Sequence, residues 1–157
     1  MVIDGVQLGI LFNQGQVCCA GSRIFVHEDI YDKFVEDAVA AFNKVKVGMP
    51  WEDDTQMGSQ IDERQMNKIL GYIDIAKQEG GKVLCGGERY TEGECAKGAF
   101  LKPTMIEVPN NSCRCAQEEI FGPVAVVIKF KDEQEVIDMA MDSAVLFGRA
   151  ISIELSV

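Results

Sequence analysis

The sequence is short of the features that would assign several functions at once. It carries a single histidine, His27, among 157 residues, which leaves few ligands for a transition metal. No pair of cysteines has the Cys-x-x-Cys spacing of a zinc or thioredoxin-like site. Basic side chains are scarce, 15 against 25 acidic ones, for a net charge of −10. A nucleic-acid surface needs clustered Lys and Arg, so that class of partner is excluded. No apolar run reaches membrane-spanning length. Met1 to Phe12 carries Asp4 and has no Lys or Arg ahead of its apolar stretch, so no secretory leader is expected there. A Gly-x-Gly-x-x-Gly turn for a dinucleotide is missing as well, as are internal repeats and low-complexity linkers.

What is present is ordinary globular material. Hydrophobic residues make up 47% and charged residues 25%, which suits one domain or a large piece of one. The cysteines are Cys18, Cys19, Cys85, Cys95, Cys113 and Cys115. A chain of this length and apolar supply needs no disulfide framework, so they are read as reduced thiols in a cytoplasmic protein. The elements alternate. Arg23–His27 reads as a strand, followed by a helix over 29–45 with Ile30, Phe34, Ala38 and Phe42 on one face and Gly48 and Pro50 as its stop. Residues 50–59 form a loop. Asp62 caps a second helix carrying Met66, Ile69, Leu70 and Ile73, ended by Gly80-Gly81. Residues 83–85 are a strand and 86–98 a surface connection. A strand over 100–108 has Pro103 at its start or on an edge. Residues 124–128 are a continuous β-branched run, as in a strand buried on both faces. Asp132 caps a third helix with Val136, Ile137 and Ala140. The pattern predicts an α/β fold, a mainly parallel twisted sheet covered by helices.

The stretch that carries chemistry is Phe12-Asn13-Gln14-Gly15-Gln16-Val17-Cys18-Cys19-Ala20-Gly21-Ser22-Arg23. Gly15 permits an unusual backbone angle or a close approach. The small residues after the thiols leave room for a tight turn or a short helical start. A thiol at a helix N-terminus would be acidified by the dipole, and the same N–H groups could stabilise an oxyanion after attack on a carbonyl. Taken alone, the commoner meaning of a cysteine among small apolar residues is a buried structural thiol.

Two phrases in this order bear on that choice. Gly15-Gln16-Val17-Cys18, three residues after the aromatic Phe12 and followed by Cys19-Ala20, resembles the cysteine signature of the aldehyde dehydrogenase family. Glu118-Glu119-Ile120-Phe121-Gly122-Pro123 is similar to that family's Glu-Glu-x-Phe-Gly-Pro phrase. The stretches 80–87 and 100–104 also look like family phrases. The likeness runs from about Asp4 to Asp142 and looks closest to the NAD-linked branch acting on retinal and simple aliphatic aldehydes.

The resemblance implies the following roles. Cys18 is the nucleophile, forming a thiohemiacetal and then a thioester. Cys19 is a neighbour lining the substrate tunnel. Glu119 holds the nicotinamide ribose hydroxyls, and Phe121 packs against the same end of the cofactor. Gln65 and Lys68, three apart on one helix face, reach the cofactor from a helix. The cofactor is NAD or NADP, no metal takes part, the substrate is a small-molecule aldehyde, and the family forms homo-oligomers. For Glu119 the bland alternative is a surface carboxylate, for Phe121 plain core packing, and for Gln65 and Lys68 a solvated helix face.

The family's Gly-rich turn, its oxyanion asparagine and the general-base glutamate of its Glu-Leu-Gly-Gly phrase have no match in these residues. The expectation is therefore a partial catalytic domain over 1–143 with a divergent tail over 144–157, giving no NAD-dependent turnover of acetaldehyde by itself. The competing expectation is a non-catalytic family member acting as a structural or interaction subunit. A thiol redox module built on Cys18 and Cys19 is disfavoured, because adjacent cysteines close a strained ring.

Overall fold

A computed structural model describes residues 2–143, and the expected tail over 144–157 lies outside the described residues. Nine regular elements follow in chain order: α1 (Val2–Leu11), β1 (Arg23–His27), α2 (Tyr31–Phe42), α3 (Glu63–Gln78), β2 (Lys82–Cys85), β3 (Thr104–Glu107), α4 (Arg114–Gln117), β4 (Val124–Phe130) and α5 (Glu133–Met141). Short 3₁₀ turns lie at Phe12–Gly15, Glu28–Ile30 and Gly93–Lys97.

The strands form one sheet in the order β1-β4-β3-β2. β4 runs parallel to both β1 and β3, pairing Ile24 with Val127 and Ile106 with Val126. Only β2 is antiparallel, against β3. The expected fold class therefore holds, and the β-branched run 124–128 is the interior strand it was read to be. Its side chains alternate between two cores. Val124, Val126, Ile128 and Phe130 pack with Met66, Ile69 and Ile73 of α3 and Val136 of α5. Ala125 and Val127 face Val6 and Ile10 of α1 and Phe34, Ala38 and Phe42 of α2. Each fully buried side chain of this size contributes roughly 1.5–3 kcal/mol, so a strand apolar on both faces belongs in the middle.

Both predicted caps are in place: Asp62 Oδ1 accepts from the Gln65 N–H at 2.7 Å and Asp132 Oδ1 from the Glu135 N–H at 2.9 Å. Other boundaries move. α2 ends at Phe42, before Gly48, through a turn in which the Lys44 N–H donates to Ala41 O. The β-branched Val45 and Val47 then leave the helix, and Val47 bridges Met57. β3 is shorter than the run 100–108, because Pro103 has no N–H to give the ladder; Leu101 instead bridges Arg89. Two helices, α1 and α4, were not anticipated. Gly5 and Gly9 dilute the helical signal of α1, yet Val6 and Ile10, one turn apart, bury its inner face.

Candidate active site

Three consecutive residues before the thiols have left-handed backbones: Asn13 (φ 48°), Gln14 (φ 58°) and Gly15 (φ 71°). Such conformations are costly for residues with side chains, so neighbours must hold them. Asn13 O accepts from the Gln16 N–H at 3.0 Å. From the loop before α3, Gln60 Nε2 donates to Gln14 O at 3.4 Å, and the Ile61 N–H donates to Gln16 Oε1 at 3.1 Å. Gln60 is buried, and nothing in its sequence context signalled this role.

Cys18 and Cys19 lie in the turn that follows, closed by the Ala20 N–H on Val17 O at 3.1 Å. No helix starts here. The chain enters β1 at Arg23, with the Gly21 N–H on Gly9 O at 2.8 Å and Ser22 O accepting from Val126. Of the two conformations open to these small residues, the tight turn forms and the helical start does not: a strand follows, because Ile24 and Val26 are drawn into the sheet, so the helix-dipole route to an activated Cys18 does not apply. Both thiols are exposed. Among the described residues, the backbone N–H groups of Cys18 and Cys19 donate to no backbone carbonyl, so both remain available to an incoming oxygen.

The second phrase comes to the same place. Gly15, Cys18, Ser22, Glu118, Glu119, Phe121 and Val124 line one shallow cleft of about 40 Å³. Cys19 does not line this cleft and faces outward. The two walls touch through backbone alone: a Cβ built on Gly15 would fall 2.1 Å from Gly122 O. Phe121, half-buried, also has a left-handed backbone, φ 59°.

The paired carboxylates have different surroundings. Glu118 accepts a two-pronged bond from Arg114, Nε to Oε1 at 2.8 Å and Nη2 to Oε2 at 2.9 Å, and a third from Tyr72 Oη at 2.8 Å. The guanidinium, then the phenol, holds its carboxyl down at about 2. This anchor is complete above the ordinary carboxylate range and is lost only as pH falls toward that value. Glu119 is exposed; its backbone carbonyl accepts from Lys68 Nζ at 3.1 Å, while its carboxylate pairs with no described residue. Gln65 Nε2 donates to Ile120 O at 3.1 Å and Phe121 O at 2.7 Å. The structure thus brings all five predicted residues together, with Gln65 and Lys68 engaging the backbone of segment 119–121.

The remaining thiols are buried and unreactive by environment. Burial pushes Cys85 up to about 11 and Cys115 up to about 12, and it raises Cys95 and Cys113 too. Iodoacetamide at pH 8 is expected to alkylate Cys18 and Cys19 in the native protein and to spare the other four until denaturant is added. Peptide mass mapping reads this directly, and equal labelling of all six would contradict the fold of this site. Among the described residues no group of three or more His, Cys, Asp or Glu side chains could hold a metal ion. No helix among them is long and apolar enough to cross a membrane.

The chain as a whole has counterparts in known proteins. The sequence profile of the aldehyde dehydrogenase family matches residues 1–152. The chain belongs to the aldehyde dehydrogenase family. Solved members superpose closely. A Burkholderia cenocepacia protein provisionally named an aldehyde dehydrogenase is 37% identical with a TM-score of 0.88, over 90% of this chain and 29% of its own. A variant of a Bacillus cereus aldehyde dehydrogenase is 42% identical with a TM-score of 0.85, over 90% and 28%. Betaine aldehyde dehydrogenase of Staphylococcus aureus, in complex with NAD+, is 42% identical with a TM-score of 0.88, over 90% and 28%. The chain spans less than a third of the length of these members. Membership in the family does not single out the retinal and aliphatic branch.

Proposed function

We propose that this chain carries the nucleophile and the cofactor-edge carboxylate of an oxidoreductase that converts aldehydes to carboxylic acids with NAD+ or NADP+. The observation that supports it most is the convergence of exposed Cys18 and unpartnered Glu119 on one cleft. Cys18 Sγ, as thiolate, adds to the aldehyde carbon to give a thiohemiacetal whose oxygen is met by the free N–H groups of the Cys18 turn. Loss of hydride from that carbon leaves a thioester on Cys18. Water then cleaves it, releasing the acid and returning the thiol. The nicotinamide, when bound, supplies the hydride acceptor. Glu119 fits its ribose: an exposed carboxylate with both oxygens free suits a vicinal diol, and Phe121 offers an apolar edge beside it. The NAD+ complex of the Staphylococcus aureus relative supports a nicotinamide dinucleotide as the cofactor. Six free thiols suit a reducing, cytoplasmic setting, and a homo-oligomer is the family's expected assembly. In the domain reading, residues 1–143 form part of the catalytic domain.

The nucleophile can be tested without a cofactor. An activated ester such as p-nitrophenyl acetate should acetylate Cys18 with release of p-nitrophenolate. One equivalent of the phenolate and an acetylated Cys18 peptide are expected, and Cys18→Ser should lose both while Cys19→Ser keeps them. Acetylation of Cys19 instead, or of neither, would refute the assignment. The alternative of a structural subunit is favoured by exposed Leu8 and Phe12, four apart at 68% and 65% exposure. It would be preferred if acyl transfer failed and the protein co-purified with a full-length family member.

A further inference from the structure

One face of α3 reads the cleft segment almost residue by residue. Gln65, Lys68, Ile69 and Tyr72 stand at helical spacings that place them on a single stripe. Tyr72 Oη donates to Glu118, Lys68 Nζ to Glu119 O, and Gln65 Nε2 to Ile120 O and Phe121 O. Ile69 closes the row, since a Cβ on Gly122 would meet its Cδ1 at 2.3 Å. The segment is otherwise anchored at its ends, by buried Ile120 and by the Val124 N–H on Gly122 O at 2.8 Å. Phe121 carries a left-handed backbone with a bulky side chain, a conformation that persists only when neighbours over-determine it.

We propose that this stripe of α3 sets where Glu119 and Phe121 stand in the cleft, with Gln65 as its principal positioning residue. The proposal rests on the cofactor-edge reading of Glu119 for its purpose, while its geometry stands independently. Gln65 is suited to the task because one amide nitrogen carries two donors, enough for both carbonyls that flank the strained Phe121 Cα. Lys68, exposed on a flexible stem, secures only Glu119 O. Gln65 and Lys68 thus engage the segment through its backbone carbonyls.

Backbone ¹⁵N relaxation of the full chain tests this. In the native protein, residues 120–122 should be as rigid as β4, with order parameters near about 0.85. Gln65→Leu keeps the bulk and removes both donors, and residues 119–122 should fall to about 0.6 or below while β4 is unchanged. Gln65→Glu adds a pH profile that a merely structural role would not produce. The introduced carboxyl has no donor when ionised and one O–H donor when protonated. Order at 119–122 should therefore be low at pH 7 and recover as pH falls through the ordinary carboxylate range, to about pH 3.5. The titratable groups around it are Asp62 at the cap of α3, Lys68 and Tyr72 on α3, and Arg114, Glu118 and Glu119 facing them. All are shared with the native protein, which should show no such profile. A segment as rigid in Gln65→Leu as in the native chain overturns the proposal. So does loosening spread equally through β4, or a Gln65→Glu profile flat between about pH 3.5 and 7. If Gln65→Leu does not fold, the Gln65→Glu profile decides. No nucleotide or ester enters this measurement, so failed acylation of Cys18 bears on the proposed function alone.

Discussion

Gly15→Ala is expected to cost at least about 3 kcal/mol of stability and to abolish the selective acylation of Cys18. Two effects add. The residue has φ 71°, which an L side chain adopts at a cost of roughly 1–2 kcal/mol. Its Cβ would then lie 2.1 Å from Gly122 O and 2.3 Å from Gly122 C. Those are backbone atoms, and Gly122 is itself pressed on Ile69, so the segment cannot retreat without moving Glu119 and Phe121. Urea unfolding gives the stability change, and peptide mapping after p-nitrophenyl acetate gives the acylation. Gly5→Ala supplies the contrast. Gly5 lies within α1 with nothing within 4 Å of its added Cβ, so the substitution should stabilise by roughly 0.5–1 kcal/mol. A Gly15→Ala protein as stable as the native one would show that the two walls do not meet as described.

Arg23→Met should destabilise by about 3 kcal/mol or more. Arg23 is 4% exposed, an unusual burial for this residue type. Its guanidinium gathers the C-terminal end of α5: Nη1 donates to Met139 O at 3.0 Å and Nη2 to Ala140 O at 3.0 Å. Nη1 also donates to Asn111 Oδ1 at 2.8 Å, and Asn111 Nδ2 in turn donates to Met139 O and Asp142 O. A cation at a helix C-terminus is favourable in itself. Here it also satisfies part-buried carbonyls at the end of α5, and each left unpaired costs about 1–3 kcal/mol. Arg23→Lys should recover only part of the loss, because one ammonium cannot reproduce the planar fork. Urea midpoints for the two variants measure this. A neutral Arg23→Met would mean that water replaces the guanidinium at the α5 end.

Arg23 also shows where local reading ends. In the sequence it is a polar residue opening a β-rich run. Its partners lie 88 to 119 positions away, so no periodicity could have revealed them. The same holds for Glu118 and Glu119. They are chemically identical neighbours; Arg114 reaches Glu118 locally, four residues on, but only the packing of α3 against α4 brings Tyr72 to the same carboxylate. Gln65 and Lys68 were legible as partners on one helix face, yet what that face touches was not. The conformation after Cys18 was open for a related reason: small residues permit either a tight turn or a helical start, and pairing of β1 with β4 selects the turn.

The local sequence by itself determined the alternation of strands and helices, the capping at Asp62 and Asp132, and the burial of residues 124–128. Those features follow from side-chain periodicity and short-range hydrogen bonding. The two phrases around Cys18 and Glu119 also announced the family. Tertiary structure alone decided the meeting of Gly15 with Gly122 and the left-handed backbone of Phe121. It likewise decided the meeting of Tyr72 with Glu118 and the exposure of one pair of thiols over two buried pairs. Each of these depends on contacts between residues far apart in the chain, and such contacts exist only once both cores have closed on the sheet.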